Sequence, residues 1–273
     1  YASSYGVLGY LSKFRPFIIS VWGSDIYDFP NKNKFNKWLL EKVINTADKI
    51  CSTSNEMGDI LSREYGNSEF EIIPFGINTN IFKPGKTNQS QFIVGTIKSI
   101  EKHNGIDCLL DAVKIIIDNY KMKNIQFLIV GDGTQLEEMK IKSSKLYLDK
   151  YVSFTGFISP ESVVEYYQKM SIFIAVSTRE SFGVSILEAA ACEVPAITSD
   201  VGGLPEVNKH NETGLVISSK SPGELAKAIK KLVNNNSLRE RMGKKARQRV
   251  IQEFNWEANI QKMISVYNDI VSH

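Results

Sequence analysis

The stretch AVSTRESFGVSILEAAACEVPAITSDVGGLPEV (175–207) places one acid, Glu180, just after an apolar run and a second, Glu188, inside an alanine-rich segment. Were 180–188 a single helix, the two carboxylates would lie about 12 Å apart and roughly 80° off a common face. A strand, a loop and a helix fit the pattern better. SIFIAV ends as a strand near Ser177, STRESFG crosses the carboxyl edge of a sheet, and a helix starts near Phe182–Gly183. Ligands of open α/β sheets bind at that edge. There a glycine admits close backbone approach, and the free N–H groups of a helix start point at an anion or a hydroxyl-rich ligand. Glu180 then reaches the cleft from the loop and Glu188 from the second helical turn.

Working outward, strands and helices alternate along most of the 273 residues. QFIVGTI, IQFLIVG, YVSFTGF, SIFIAVS, VPAITSD and GLVIS read as strands. Between the first two, Ile106, Leu109, Leu110, Val113, Ile116 and Ile117 fall at helical spacing, giving a helix over 105–120. A polar helix is expected at 134–148. Ser159-Pro160 supplies an N-cap and first-turn proline for a helix to about 169, and SPGE (221–224) reads as a capping box opening a helix over 222–234. Strands this apolar, separated by helices, mean a parallel sheet covered on both faces.

Residues 1–80 repeat the grammar in shortened form: strands in PFIISVWGSD, KICSTS and FEIIPFG, and helices at 33–47 and 55–65. The polar piece NTNIFKPGKTNQS (78–90) reads as a linker. The expected organisation is a partial N-terminal domain over 1–85, a second domain over 86–254, and a last helix over 255–273. The first domain is short of strands, and the chain begins YASSYGVLGY without a methionine, so a fragment is expected.

Hydrophobic residues make up 42% of the chain, ample for a core or two, and the net charge is +3. That mild positive charge suits an anionic small molecule or an anionic membrane surface and requires neither. Cys51, Cys108 and Cys192 are far apart in apolar settings, with no metal-ligand spacing and no disulfide framework, so a reducing cytoplasm is expected. No apolar run approaches the roughly 18 residues of a membrane span.

Two acceptors spaced like Glu180 and Glu188 suit hydroxyls on two rings of one extended ligand, the shape of a nucleotide sugar. Here the chain resembles the retaining GT-B glycosyltransferases of family 4, also called group 1. ESFGVSILE matches their E-x7-E motif, and AAACEVPAITSDVGGLPEV, ETGLVIS and FNWE continue the match. Upstream it takes in WGSDI, IIPFGINTNIFKP, VGTIKSIEKHNGID, LIVGDG and VSFTGF, so the resemblance runs over nearly the whole chain in the expected order. It implies a GT-B fold of two Rossmann-like doubly wound domains, the N-terminal one incomplete and on the acceptor side, the second binding the donor.

The resemblance also implies roles. Glu180, Phe182, Gly183 and Val184 would contact the hexose, with Glu180 stabilising positive charge at the anomeric carbon. Glu188 would hold the ribose hydroxyls, and Phe157 and Ile158 would border the base. Gly95 lies in the donor-binding strand. The family uses an Arg and a Lys on the diphosphate. Thr96 stands at the arginine position here, so Lys102 is the expected surviving cation and Lys98 the substitute, an ammonium without the planar guanidinium fork. No D-x-D occurs, and neither a metal nor another cofactor is expected. The family's acceptor-side histidine is replaced by Trp22, which can stack on a sugar but cannot relay a proton. Asp25 beside it offers either a polar contact or a loop cap.

The implied reaction moves a hexosyl group from a nucleoside diphosphate sugar, such as a UDP-sugar, to a hydroxyl of a carbohydrate or lipid-linked acceptor with retained anomeric configuration. Polysaccharide or glycolipid synthesis in the bacterial cytoplasm is the expected setting, with peripheral contact on the inner membrane face left open. NKNKFNKWLLEKV (31–43) could mark a membrane-facing helix, although a core-packing helix with a basic solvated face accounts for it better. LRERMGKKARQRV (238–250) reads as a solvated helix, and GDG (131–133) lacks a full dinucleotide fingerprint because position 136 is Leu. Nothing in the pattern indicates nucleic acid. A nucleotide-sugar epimerase and a binding domain without turnover remain the rival readings.

Overall fold

A computed structural model of the chain describes residues 1–67, 69–85 and 91–272. Its contacts divide it into two compact units: 1–76, 180–182 and 254–273 form the first, and 77–179 with 183–253 the second. The end of the expected linker, 86–90, lies outside the described residues.

In the first unit, α1 (Tyr5–Ser12) precedes β1 (Ile18–Val21). Then come the short α2 (Ser24–Tyr27), α3 (Lys34–Thr46), β2 (Lys49–Ser52), α4 (Asn55–Tyr65) and β3 (Glu71–Ile72). The three strands form a parallel sheet in the order β1-β2-β3. α3 and α4 start on side-chain caps: Asn33 accepts from Asn36 N at 2.8 Å and Ser54 from Met57 N at 3.2 Å. Leu40, Val43 and Ile44 of α3 and Met57 and Leu61 of α4 are buried with Ile19, Val21 and Ile50 of the sheet. So α3 is a core-packing helix, though Phe35 and Trp38 at its start remain exposed. β3 is shorter than FEIIPFG suggests. Pro74 lacks the N–H that a longer ladder would need.

The second unit holds the larger sheet. Its elements are β4 (Phe92–Ile97), α5 (Ile106–Asp118), β5 (Ile125–Val130), α6 (Leu136–Lys145), β6 (Val152–Phe154), α7 (Val163–Lys169), β7 (Ile172–Ala175), α8 (Val184–Ala191), β8 (Ala196–Ser199), α9 (Leu204–Val207), β9 (Gly214–Ile217), α10 (Pro222–Val233) and α11 (Asn236–Glu253). All six strands are parallel, in the order β6-β5-β4-β7-β8-β9. Every residue of β7 and β8 is buried, as strands covered on both faces require. α5 and α10 pack together over the sheet, and α8 packs against α7 and α11. The α5 residues read from helical spacing are all buried in one core with Phe127 and Ile174 of the sheet and Leu225, Ile229 and Leu232 of α10.

Two expected helix starts differ in detail. Ser159 makes no side-chain cap bond, and Pro160–Ser162 form a 3-10 turn before α7. The capping box at α10 does not form either. Ser221 makes no cap bond, and the Glu224 carboxylate accepts instead from Ser218 N at 2.9 Å. That backbone bond also holds the Glu224 carboxyl below its usual range.

The chain ends with α12 (Trp256–Val271), part of the first unit, capped by Asn255 accepting from Ala258 N at 3.1 Å. Among the described residues no helix is long and apolar enough to cross a membrane.

Candidate functional site

In the second unit the chain order reverses direction across β4 and β7, its central pair, and the loops after those strands meet at their carboxyl ends. An open α/β sheet offers its ligand crevice at such a switch point. The β7–α8 loop is anchored there by Thr178 N donating to His103 O at 2.7 Å and by Ser199 Oγ donating to Ser177 O at 2.5 Å. Gly183, at φ 109°, opens α8 without any side-chain cap. A side chain would be strained at that φ. Ile186 N donates to Gly183 O at 3.0 Å, so it is the N–H groups of Val184 and Ser185 that this start offers to an acceptor from outside the helix.

On the β4 side, Lys98 Nζ donates to Ser177 Oγ at 2.9 Å, and Ser177 is fully buried. Asn104 braces the same loop, its Nδ2 donating to Ser99 O at 2.8 Å and Ser99 Oγ at 3.0 Å. Lys98 N donates to Val130 O at 3.0 Å. Gly131, at φ 134°, lies so close to the Lys98 carbonyl that a Cβ would overlap it. Lys102 is exposed in the 3-10 turn Lys102–Asn104, beside a half-buried His103. Glu101 is occupied by Thr134, whose N and Oγ1 donate to it at 2.9 and 2.6 Å and draw its carboxyl below the usual range. Thr96 is buried within β4.

Glu188 stands in the second turn of α8 and accepts a hydrogen bond from Tyr167 Oη at 2.7 Å. Burial pushes its carboxyl up, and the Tyr167 hydroxyl pulls it partly back. Tyr167 is buried completely, and burial and the neighbouring carboxylate hold its hydroxyl protonated. Cys192, just beyond α8, is pushed up to about 12, mainly by burial. Sequence reading missed Tyr167 and Ser177. A tyrosine on an amphipathic helix carries no sign of its partner 21 residues away, whereas Ser177, polar at the end of the apolar SIFIAV, was a visible signal.

Phe157 is exposed and Ile158 half-buried in the loop after β6. Val184 is half-buried at the first position of α8. Gly95 sits in the interior of β4, and the Met170 side chain occupies the place its Cβ would take. Packing against Met170 is thus sufficient reason for a glycine here, whatever its expected part in donor binding.

The first unit contains Glu180, half-buried, and the buried Phe182, whose ring lies 5.9 Å from those of Phe75 and Phe254. Glu180 and Glu188 thus belong to different units. Trp22 is half-exposed, edge-on to Tyr1 and Phe75 at 6.0 and 5.7 Å. Asp25 is fully buried, accepting from Gly23 N at 2.8 Å, Trp22 N at 3.1 Å and Ala2 N at 3.3 Å. Of its two expected roles, the loop cap is the one seen.

Comparison with known proteins gives this edge its context. The family described as Glycosyl transferases group 1 matches residues 77–249, and Glycosyl transferase 4-like matches residues 1–54. The chain belongs to the group 1 glycosyltransferases. Members of this family move a sugar from a nucleotide-sugar donor. Among relatives of this group 1 chain, the capsular polysaccharide biosynthesis glycosyltransferase CapM of Staphylococcus aureus is 30% identical over 96% of the chain and 74% of its own length. The D-inositol 3-phosphate glycosyltransferase of Corynebacterium jeikeium is 25% identical over 84% of the chain and 59% of its own length. Anabaena HepE, solved in complex with UDP and glucose, superposes with a TM-score of 0.85 at 19% identity, over 96% of this chain and 74% of that one. This likeness shows the GT-B fold.

Proposed function

We propose that this chain serves a retaining glycosyltransferase that moves a hexosyl group from a nucleoside diphosphate sugar to a hydroxyl of a carbohydrate or lipid-linked acceptor, in bacterial polysaccharide or glycolipid synthesis. The observation that carries the reading is Glu188, a half-buried acid on a mostly apolar helix that starts at the carboxyl edge of the six-stranded sheet. Tyr167 supplies one donor to this carboxylate, which keeps further acceptor positions that ribose hydroxyls would use. UDP is the proposed nucleotide because HepE was solved with UDP and glucose, and the polysaccharide setting is proposed from the name of the CapM relative.

In this reading Glu188 accepts from the ribose hydroxyls and Phe157 and Ile158 border the base. The diphosphate lies against the uncapped N–H groups of α8 and the ammonium groups of Lys98 and Lys102. Those fixed positive charges stabilise the negative charge that builds on the leaving group. The departing phosphate oxygen takes the acceptor's proton, so no side-chain base is required, and Glu180 stabilises the positive charge developing at the anomeric carbon. Phe182, Gly183 and Val184 border the hexose, and Trp22 offers a stacking surface to the acceptor.

The test is incubation of the purified chain with UDP-hexoses and sugar acceptors, following UDP release and the anomeric configuration of the product. A retained α-linkage from an α-donor supports the reading, and an inverted product overturns it. Nucleotide binding without turnover is the second reading. It is favoured by the chain spanning only 59–74% of the length of the relatives described above.

A further inference from the structure

Tyr167 occupies a site where it has no freedom to serve a mobile partner. It is completely buried on α7, with its ring edge-on to Phe173 at 5.5 Å and to Phe82 at 6.2 Å. A buried phenol in an aromatic setting needs a partner for its O–H, and the single proton goes to Glu188 Oε2. An ionised carboxylate has two oxygens and about four acceptor positions. Among the described residues Tyr167 Oη is the one hydrogen-bond donor to the Glu188 carboxylate.

The surroundings make this donor decisive. Cys192 lies beyond the end of α8 and, raised to about 12, stays protonated. Arg247 on α11 donates to backbone carbonyls, those of Ala191 and Phe82. No cation is among the groups that act on Glu188. Burial and the Tyr167 hydroxyl are the two influences, and they oppose each other. Among the described residues the tyrosine is therefore the one group that favours the charged, acceptor-only form of this acid.

We infer that Tyr167 is a positioning residue for nucleoside recognition: its hydroxyl fixes Oε2 of Glu188 and leaves Oε1 as the acceptor for the hydroxyls of a ribose. This rests on the reading that Glu188 holds the ribose. Tyr167 itself touches no ligand. It sets the carboxylate's rotamer and favours its charged form, so its removal acts on affinity for ribose-bearing nucleotides. A merely structural tyrosine would alter stability and leave ligand discrimination unchanged.

The experiment is calorimetric titration of UDP and of 2′,3′-dideoxy-UDP into the purified chain and its Tyr167→Phe, Glu188→Gln and doubly substituted forms, between about pH 5 and pH 8. Phenylalanine keeps the ring and loses only the donor. Tyr167→Phe should weaken UDP about tenfold near neutral pH, the scale of a hydrogen bond to a charged group, and leave the dideoxy nucleotide unaffected. The pH midpoint of UDP affinity should move up by about one unit. Glu188→Gln should also weaken UDP, and adding Tyr167→Phe to it should cost nothing further.

If Glu188→Gln weakens UDP while Tyr167→Phe changes neither affinity nor midpoint, the inference falls and the ribose reading stands. If Glu188→Gln binds UDP like the unaltered chain, or the unaltered chain binds none of UDP, GDP and ADP, the ribose reading fails and takes the inference with it. Should Tyr167→Phe not fold, fluorotyrosine at position 167 replaces it. Its more acidic hydroxyl should tighten UDP and lower the midpoint, and no change in either overturns the inference.

Discussion

Lys98 Nζ lies 2.9 Å from Oγ of the fully buried Ser177, joining the loop after β4 to the end of β7. The serine donates no charge. Its hydroxyl gives the ammonium, a group of three donors, a fixed acceptor. Lys98→Met should therefore lower the transfer rate about 100-fold, the scale of removing one fixed donor from a developing anion. Ser177→Ala, which loosens the ammonium without removing it, should cost less than about tenfold. Initial rates with a UDP-hexose measure both, and equal losses would show that the serine matters for something other than Lys98.

Glu180 has a different expected signature. Glu180→Ala should abolish transfer while nucleotide affinity stays within about twofold of the original, because its proposed role is confined to the sugar and the transition state. Rate and binding measured on the same preparation separate the two effects. Lost affinity with normal turnover at saturation would contradict the assignment.

Glu188 also links function to pH-dependent stability. Burial raises its folded pKa above the unfolded value. Its contribution to stability is thus fully present below the unfolded pKa of about 4.3 and is lost as pH rises through the folded one. Above that folded pKa the charged acid is a net cost. Glu188→Gln should leave the chain within about 1 kcal/mol of its stability, or more stable, near pH 7. The variant's advantage should shrink toward about pH 4, which denaturant melts at the two pH values will show.

Two glycines make a contrasting pair. Gly131 combines φ 134° with a backbone approach to Lys98 that leaves no room for a methyl group, whereas Gly156 has φ 70° and nothing within 4 Å of the added carbon. Gly156→Ala should cost about 1 kcal/mol, for the left-handed backbone alone. Gly131→Ala should cost at least about 2–3 kcal/mol, because strain and overlap add. It should also displace the Lys98 loop, raising the donor KM. Thermal melts of both variants test the order.

The parts of this structure that were legible in the sequence are those carried by local periodicity. Ile106, Leu109, Leu110, Val113, Ile116 and Ile117 lie at helical spacing, and all are buried in α5. The apolar runs of β7 and β8 are buried from end to end. What could not be read depends on contacts between distant segments. Gly95 carries no mark of Met170, Glu188 none of Tyr167, and Asp25 none of Ala2. SPGE satisfies the pattern of a capping box, but the Ser218 backbone N–H captures Glu224 first. A motif states which bonds are available, and the surrounding fold decides which of them form.

The most direct test is the structure of this chain with UDP bound. The ribose hydroxyls should lie about 2.6–3.0 Å from the Glu188 carboxylate with the Tyr167 bond intact, and the diphosphate should face the N-terminus of α8 and Lys98. UDP bound elsewhere, or bound with its ribose out of reach of Glu188, would contradict the account.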